Sequence, residues 1–141
     1  NLIKLSSLSY TDGYYYKPRI DKALLEKHSE GLIASTCCLA SEVNRAIIDR
    51  NEEEAEKILL SYIDIFGKED YYVEIQRHNL GDMDKCNAVL LRWAQKHGLK
   101  VIATNDVHYV NKEDSEAHDL LLALPIITTP TASGSQTTTT I

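Results

Sequence analysis

Three short apolar runs, each ending in a side chain able to bind a metal and each separated from the next by helical periodicity, constrain this chain more than any other feature. They are Gly31-Leu-Ile-Ala-Ser-Thr36, running into Cys37 and Cys38; Tyr71-Tyr-Val-Glu-Ile-Gln-Arg77, running into His78; and Leu99-Lys-Val-Ile-Ala-Thr-Asn105, running into Asp106 and His108. Strands that alternate with helices mark βαβ units, so an α/β fold with a parallel sheet or barrel is expected. In such folds the chemistry gathers at the carboxyl ends of the strands.

Alternate side chains of an extended segment share a face. Asp106 and His108 are therefore expected to close on one ion. The same alternation predicts Tyr72, Glu74, Gln76 and His78 on one face of the second strand and Tyr71, Val73, Ile75 and Arg77 on the other, with Glu74 and Gln76 lining the cavity of His78. Imidazole, thiolate and carboxylate together suit Zn²⁺ or Mn²⁺ and are a poor set for Ca²⁺, which prefers oxygen cages. Such ions polarise phosphoryl oxygens and lower the pKa of bound water towards ~7, the chemistry of phosphate-ester hydrolysis. The competing reading makes His78 and Cys38 packed residues and Asp106 a cap for the turn after its strand. Cys37, next to Cys38, is expected to face elsewhere.

The helices are marked by their ends. Leu2, Leu5 and Leu8 give a short amphipathic helix stopped at Asp12-Gly13. Asp21 to His28 reads as a short helix, and Glu42 to Asp49 as another. Asn51-Glu-Glu-Glu54 resembles a capping box opening a helix to about Phe66, with Gly67 as its stop. The Glu52, Glu53, Glu54 and Glu56 cluster then sits at the positive end of a helix dipole, as a solvated start and not a metal site. Asp82 to His97 is a helix with Val89, Leu90, Trp93 and Ala94 on its packing side and Gly98 at its C-terminal stop. A last helix opens at Asn111 and ends near Leu124. It places His118 where it can fold back over the end of the Asp106/His108 strand.

His28 and His97 lie among charged helical residues and are expected to face solvent, with Cys86 either core or surface. Tyr14-Tyr-Tyr-Lys-Pro-Arg19 has two readings: a surface that stacks on bases or touches phosphate, or a packed connection between layers, which is the expected one. No Ser-His-Asp arrangement is legible.

The formal net charge of −6 argues against this surface gripping a phosphate backbone by itself. A 43% hydrophobic content supports a real core, and no apolar run approaches the ~20 residues of a membrane helix. Three cysteines without regular spacing, and no signal-peptide pattern, point to a reducing compartment and a cytoplasmic location. The chain opens at Asn1 inside a helical pattern and is read as a fragment. Residues 1–124 are expected to form the structured part, and residues 125–141, rich in Thr and Ser, a flexible or non-native tail.

These residues also resemble a known family. Asn1-Leu-Ile-Lys-Leu-Ser-Ser-Leu8, Tyr15-Tyr-Lys-Pro-Arg-Ile-Asp21, Ser29-Glu-Gly-Leu-Ile33, Glu74-Ile-Gln-Arg-His78, Ala103-Thr-Asn-Asp-Val-His-Tyr109 and Asp114-Ser-Glu-Ala-His-Asp119 are similar to the PHP (polymerase and histidinol phosphatase) domain at the front of bacterial DNA polymerase III alpha subunits. The resemblance covers roughly residues 1–124. It implies the C-terminal portion of a distorted, TIM-like (β/α) barrel with a multinuclear Zn²⁺ or Mn²⁺ centre at its strand ends. It places Asp106 and His108 on the late Asp-x-His motif, His78 on the central His, and Cys38 on the metal-binding Cys. Where the family usually has Gly before that Cys and before Glu42, this chain has Cys37 and Ser41. The early His-x-His motif falls outside it.

By resemblance the parent is a DNA-directed DNA polymerase acting in replication. Its PHP domain is either a metal-dependent 3′-5′ exonuclease or pyrophosphatase, or an inactive structural and interaction module. A free-standing PHP-family phosphatase is the remaining alternative. The implied partners are the rest of the alpha subunit, the replicative holoenzyme with its proofreading subunit, and DNA through the parent protein, with no membrane. Alone, the fragment is expected to be inactive.

Overall fold

The computed structural model describes residues 1–128, as two compact units that divide after Ala103. In the first unit, α1 (Leu2–Thr11) is followed by α2 (Lys22–Lys27), β1 (Ala34–Ser35), α3 (Glu42–Asp49), α4 (Glu52–Phe66), β2 (Tyr71–Ile75), α5 (Gly81–His97) and β3 (Val101–Ala103). The second contains a 3₁₀ turn, Lys112–Asp114, and α6 (Ser115–Thr128).

Side-chain oxygens open α2, α3 and α4 by accepting the backbone N–H groups that a first turn leaves unbonded. Asp21 accepts from Leu24 N at 2.8 Å, Ser41 from Asn44 N at 3.3 Å and Asn51 from Glu54 N at 2.8 Å. The carboxylate of Glu54 faces Arg50 across 3.9 Å. Gly98 ends α5 in the left-handed region, at φ 69°. Gly13 has a stricter reason. A Cβ there would lie 2.0 Å from the carbonyl oxygen of Arg19, so the chain can close back on itself only over glycine.

The sheet is parallel and ordered β1-β2-β3. Ala34 and Ser35 stand opposite Tyr71 and Tyr72, while Val73, Glu74 and Ile75 stand opposite Val101, Ile102 and Ala103. Helices α3 and α4 link the first pair and α5 the second. Each connection is a βαβ crossover, as the alternation of runs predicts, and the arrangement is that of part of a (β/α) barrel.

Under the sheet, β2 contributes Tyr71 and Val73, α3 Val43 and Ile47, α4 Ala55 and Leu59, and α5 Val89, Leu90 and Trp93, all buried. Each buried large apolar side chain contributes roughly 1.5–3 kcal/mol. Tyr62 and Phe66 of α4 stack on Tyr71 at 5.8 and 6.2 Å between ring centroids. At the rim, the Tyr62 hydroxyl donates to Glu42 at 2.8 Å, Glu42 pairs with Lys22 at 3.2 Å, and Lys22 lies over the Tyr62 ring.

Several expectations are corrected. The first strand does not begin at Gly31, because Gly31 is left-handed at φ 75° and Leu32 N bonds Ser29 O in a turn. The third does not reach Asp106, since regular pairing ends at Ala103. Helix α6 runs through Pro125 to Thr128, beyond the end expected near Leu124. The rest of the expected tail, residues 129–141, lies outside the described residues.

His28 is 6% exposed and so does not face solvent. Burial, with Lys4 and Lys27 nearby, lowers its pKa and favours the neutral ring. His97 is partly buried and lies 2.6 Å from Glu56, which also binds Lys96 at 2.7 Å. Cys86 belongs to the core, where burial pushes its thiol up to about 11. The Tyr14 to Arg19 segment is not packed between layers: Tyr14, Tyr15 and Tyr16 are all exposed.

Candidate metal centre

The carboxyl end of β1 is held by polar side chains. Thr36, fully buried, extends the pairing of β1 with β2 by using its side chain as well as its backbone. Its N–H reaches Tyr72 O at 3.0 Å, and its hydroxyl both accepts from Glu74 N at 2.9 Å and donates to Glu74 O at 3.3 Å. Ser35 donates to one carboxylate oxygen of Glu74 and Gln76 donates to the other at 3.0 Å. The shared face expected for Glu74 and Gln76 is therefore present.

Beyond Thr36 the chain turns sharply. Cys37 adopts a left-handed backbone at φ 57°, and its N–H reaches Ser35 Oγ at 3.3 Å. Partial burial pushes the Cys37 thiol up, with Cys38 and Glu74 adding to the effect, so it favours the protonated form. Cys38 is partly exposed. Asn44 of α3, which sequence reasoning passed over, clasps this loop by donating to Cys37 O at 3.1 Å and Cys38 O at 2.8 Å. Its own oxygen is buried without a protein donor, beside a cavity of about 10 Å³ also lined by Cys38, Glu74, Gln76 and Asn87.

His78 is exposed and lies past the end of β2, followed by left-handed Asn79 at φ 57°. Strand alternation therefore does not carry it onto the face of Glu74 and Gln76. In the second unit the extended geometry expected for Asp106 and His108 is also corrected. Asp106 is left-handed at φ 51°, and His108 Nδ1 lies 2.7 Å from the Asp106 carbonyl oxygen, so a local turn, not a pleated strand, relates the two. Both side chains are exposed.

Helix α6 does bring His118 against this turn, its ring 5.6 Å from that of His108 and 5.4 Å from that of Tyr109. A reciprocal cap between Asn111 and Asp114 fixes the entry to the helix. Cys38 and His78 thus belong to the first unit, and Asp106 and His108 to the second. Their donor chemistry suits Zn²⁺ or Mn²⁺. Among the described residues no three His, Cys, Asp or Glu side chains converge on one point.

The family model described as "PHP domain" matches residues 1–78, more than half of the chain. The chain belongs to the PHP domain family. This PHP domain chain is 49% identical over 124 residues to the DNA polymerase III subunit alpha of Deinococcus radiodurans, covering 88% of the chain and 9% of that protein. It is 45% identical over 129 residues to the same subunit of Thermus aquaticus, covering 92% of the chain and 10% of that protein. With the subunit of Aquifex aeolicus it shares 46% identity over 124 residues, or 88% of the chain and 11% of that protein. It therefore spans about a tenth of the length of these curated relatives. None of its described helices is long and apolar enough to cross a membrane.

Proposed function

We propose that this chain is the PHP portion, residues 1–124, of a DNA polymerase III alpha subunit and serves DNA replication as part of that DNA-directed DNA polymerase. The carrying observation is identity of 45–49% to such subunits over at least 124 residues. Its immediate partner is then the remainder of the alpha subunit, and through it the holoenzyme, the proofreading subunit and DNA, in the cytoplasm.

In the intact protein, Asp106, His108, His78 and Cys38 are assigned as donors to Zn²⁺ or Mn²⁺ for hydrolysis of a 3′-terminal phosphodiester or of pyrophosphate. What supports this is the donor chemistry and the match of these residues to the family motifs. A second reading is a structural module without hydrolysis. The test is His108→Ala in the intact protein. Metal content and 3′-terminal hydrolysis are expected to fall together. Hydrolysis unchanged, with lowered thermal stability, assigns the structural role instead. The chain alone, given Mn²⁺ or Zn²⁺, is expected to release no 3′-terminal nucleotide.

A further inference from the structure

The turn after α1 is aromatic, basic and open. Tyr10, Tyr14, Tyr15 and Tyr16 are 62%, 58%, 64% and 80% exposed. Large aromatic rings left uncovered together mark an interaction surface, since isolated exposed apolar groups are ordinary and clusters are not. These rings are also ordered among themselves. Tyr10 and Tyr14 stack at 6.3 Å, Tyr15 and Tyr16 meet edge to face at 4.6 Å, and the Arg19 guanidinium lies over the Tyr15 ring at 5.4 Å.

The backbone keeps them in place. Tyr15 N–H donates to Lys17 O at 3.1 Å across left-handed Tyr16, at φ 60°. Gly13 lets the Arg19 backbone close the loop. A turn that spends a strained non-glycine residue to present a ring to solvent is built for contact.

We propose that this turn is a stacking platform for single-stranded DNA, with Tyr15 and Tyr16 taking unstacked bases and Lys17 and Arg19 the adjoining phosphates. Exposed rings beside cations are what single strands require, because every base has a π-face and only unpaired bases offer it. The net charge of −6 opposes phosphate at a distance. Screening over roughly 10 Å at 0.1 M salt leaves only nearby charges to act at contact range, Lys17 and Arg19 together with Asp12 and Asp21, which line a cavity with Arg19. The choice of DNA over RNA rests on the reading of the chain as part of a DNA polymerase; the platform itself is independent of the metal donors.

The test is fluorescence anisotropy of labelled oligo-dT, about 20 nucleotides long, with the full chain in EDTA, so that failure of the metal assignment cannot affect it. Saturable binding is expected, weakening about tenfold or more in Tyr15→Ser/Tyr16→Ser and staying within about twofold in Tyr15→Phe/Tyr16→Phe. With two phosphate contacts, the slope of log affinity against log salt should lie near −1.4, at about −0.7 per contact. Trp93 emission and circular dichroism report that the variants fold. The proposal is overturned by absent binding, by a serine variant that binds like the original, by a duplex of the same sequence competing equally well, or by binding of oligo-U with none of oligo-dT.

Discussion

Leu59 has no exposed surface and lies in the core cluster with residues of α3, β2 and α5. Leu59→Ala removes that contact and leaves a void, so a loss of about 2–5 kcal/mol is expected in urea unfolding. Glu56 acts at the surface instead. Hydrogen bonds from Lys96 and His97 hold its carboxyl below its ordinary value of 4.5. A carboxylate favoured in the folded state stabilises above that ordinary value, and the contribution disappears as pH falls through the lowered one. Glu56→Gln should therefore be less stable than the original at pH 7, with the gap narrowing in paired melts as pH falls below 4.5. His28 is a different case at this scale. Its neighbours Lys27 and Ser29 suggest solvent, yet it is buried, because exposure is decided by the packing of the whole unit and not by adjacent residues.

At the scale of the element, helix ends were the most legible features. Asn51, Gly67, Asp21 and Gly98 each stand where a first or last turn leaves backbone groups unbonded, a local requirement that neighbouring residues state directly. Asn51→Ala is expected to cost about 1 kcal/mol in urea unfolding, by removing the acceptor for Glu54 N. Strand ends were less legible. The runs before Thr36 and Asp106 look extended, but Gly31 and Asp106 take left-handed backbones that pattern alone does not reveal in Asp. The spacing of Asp106 and His108 reads as a pleated pair, whereas a turn with the His108 ring at the Asp106 carbonyl oxygen relates them. Asn44 escaped notice for a related reason. Its role lies in bonds to the carbonyl oxygens of Cys37 and Cys38, which no side-chain motif encodes.

For the whole molecule, every residue of the core cluster falls before Ala103. A chain ending at Thr104 is thus expected to unfold cooperatively, with retained Trp93 burial by fluorescence. A noncooperative melt would show that the first unit needs the second. The four residues expected as ligands are divided between the units, Cys38 and His78 in the first and Asp106 and His108 in the second, a division that a ligand list read along the chain does not reveal.

The order β1-β2-β3 leaves the outer side of β3 without a neighbouring strand among the described residues, and Val101 and Ile102 are 43% and 37% exposed there. Such a seam invites zippering between molecules in concentrated solution. Light scattering should rise with concentration, and Val101→Lys should suppress the rise by setting like charges against each other across the join.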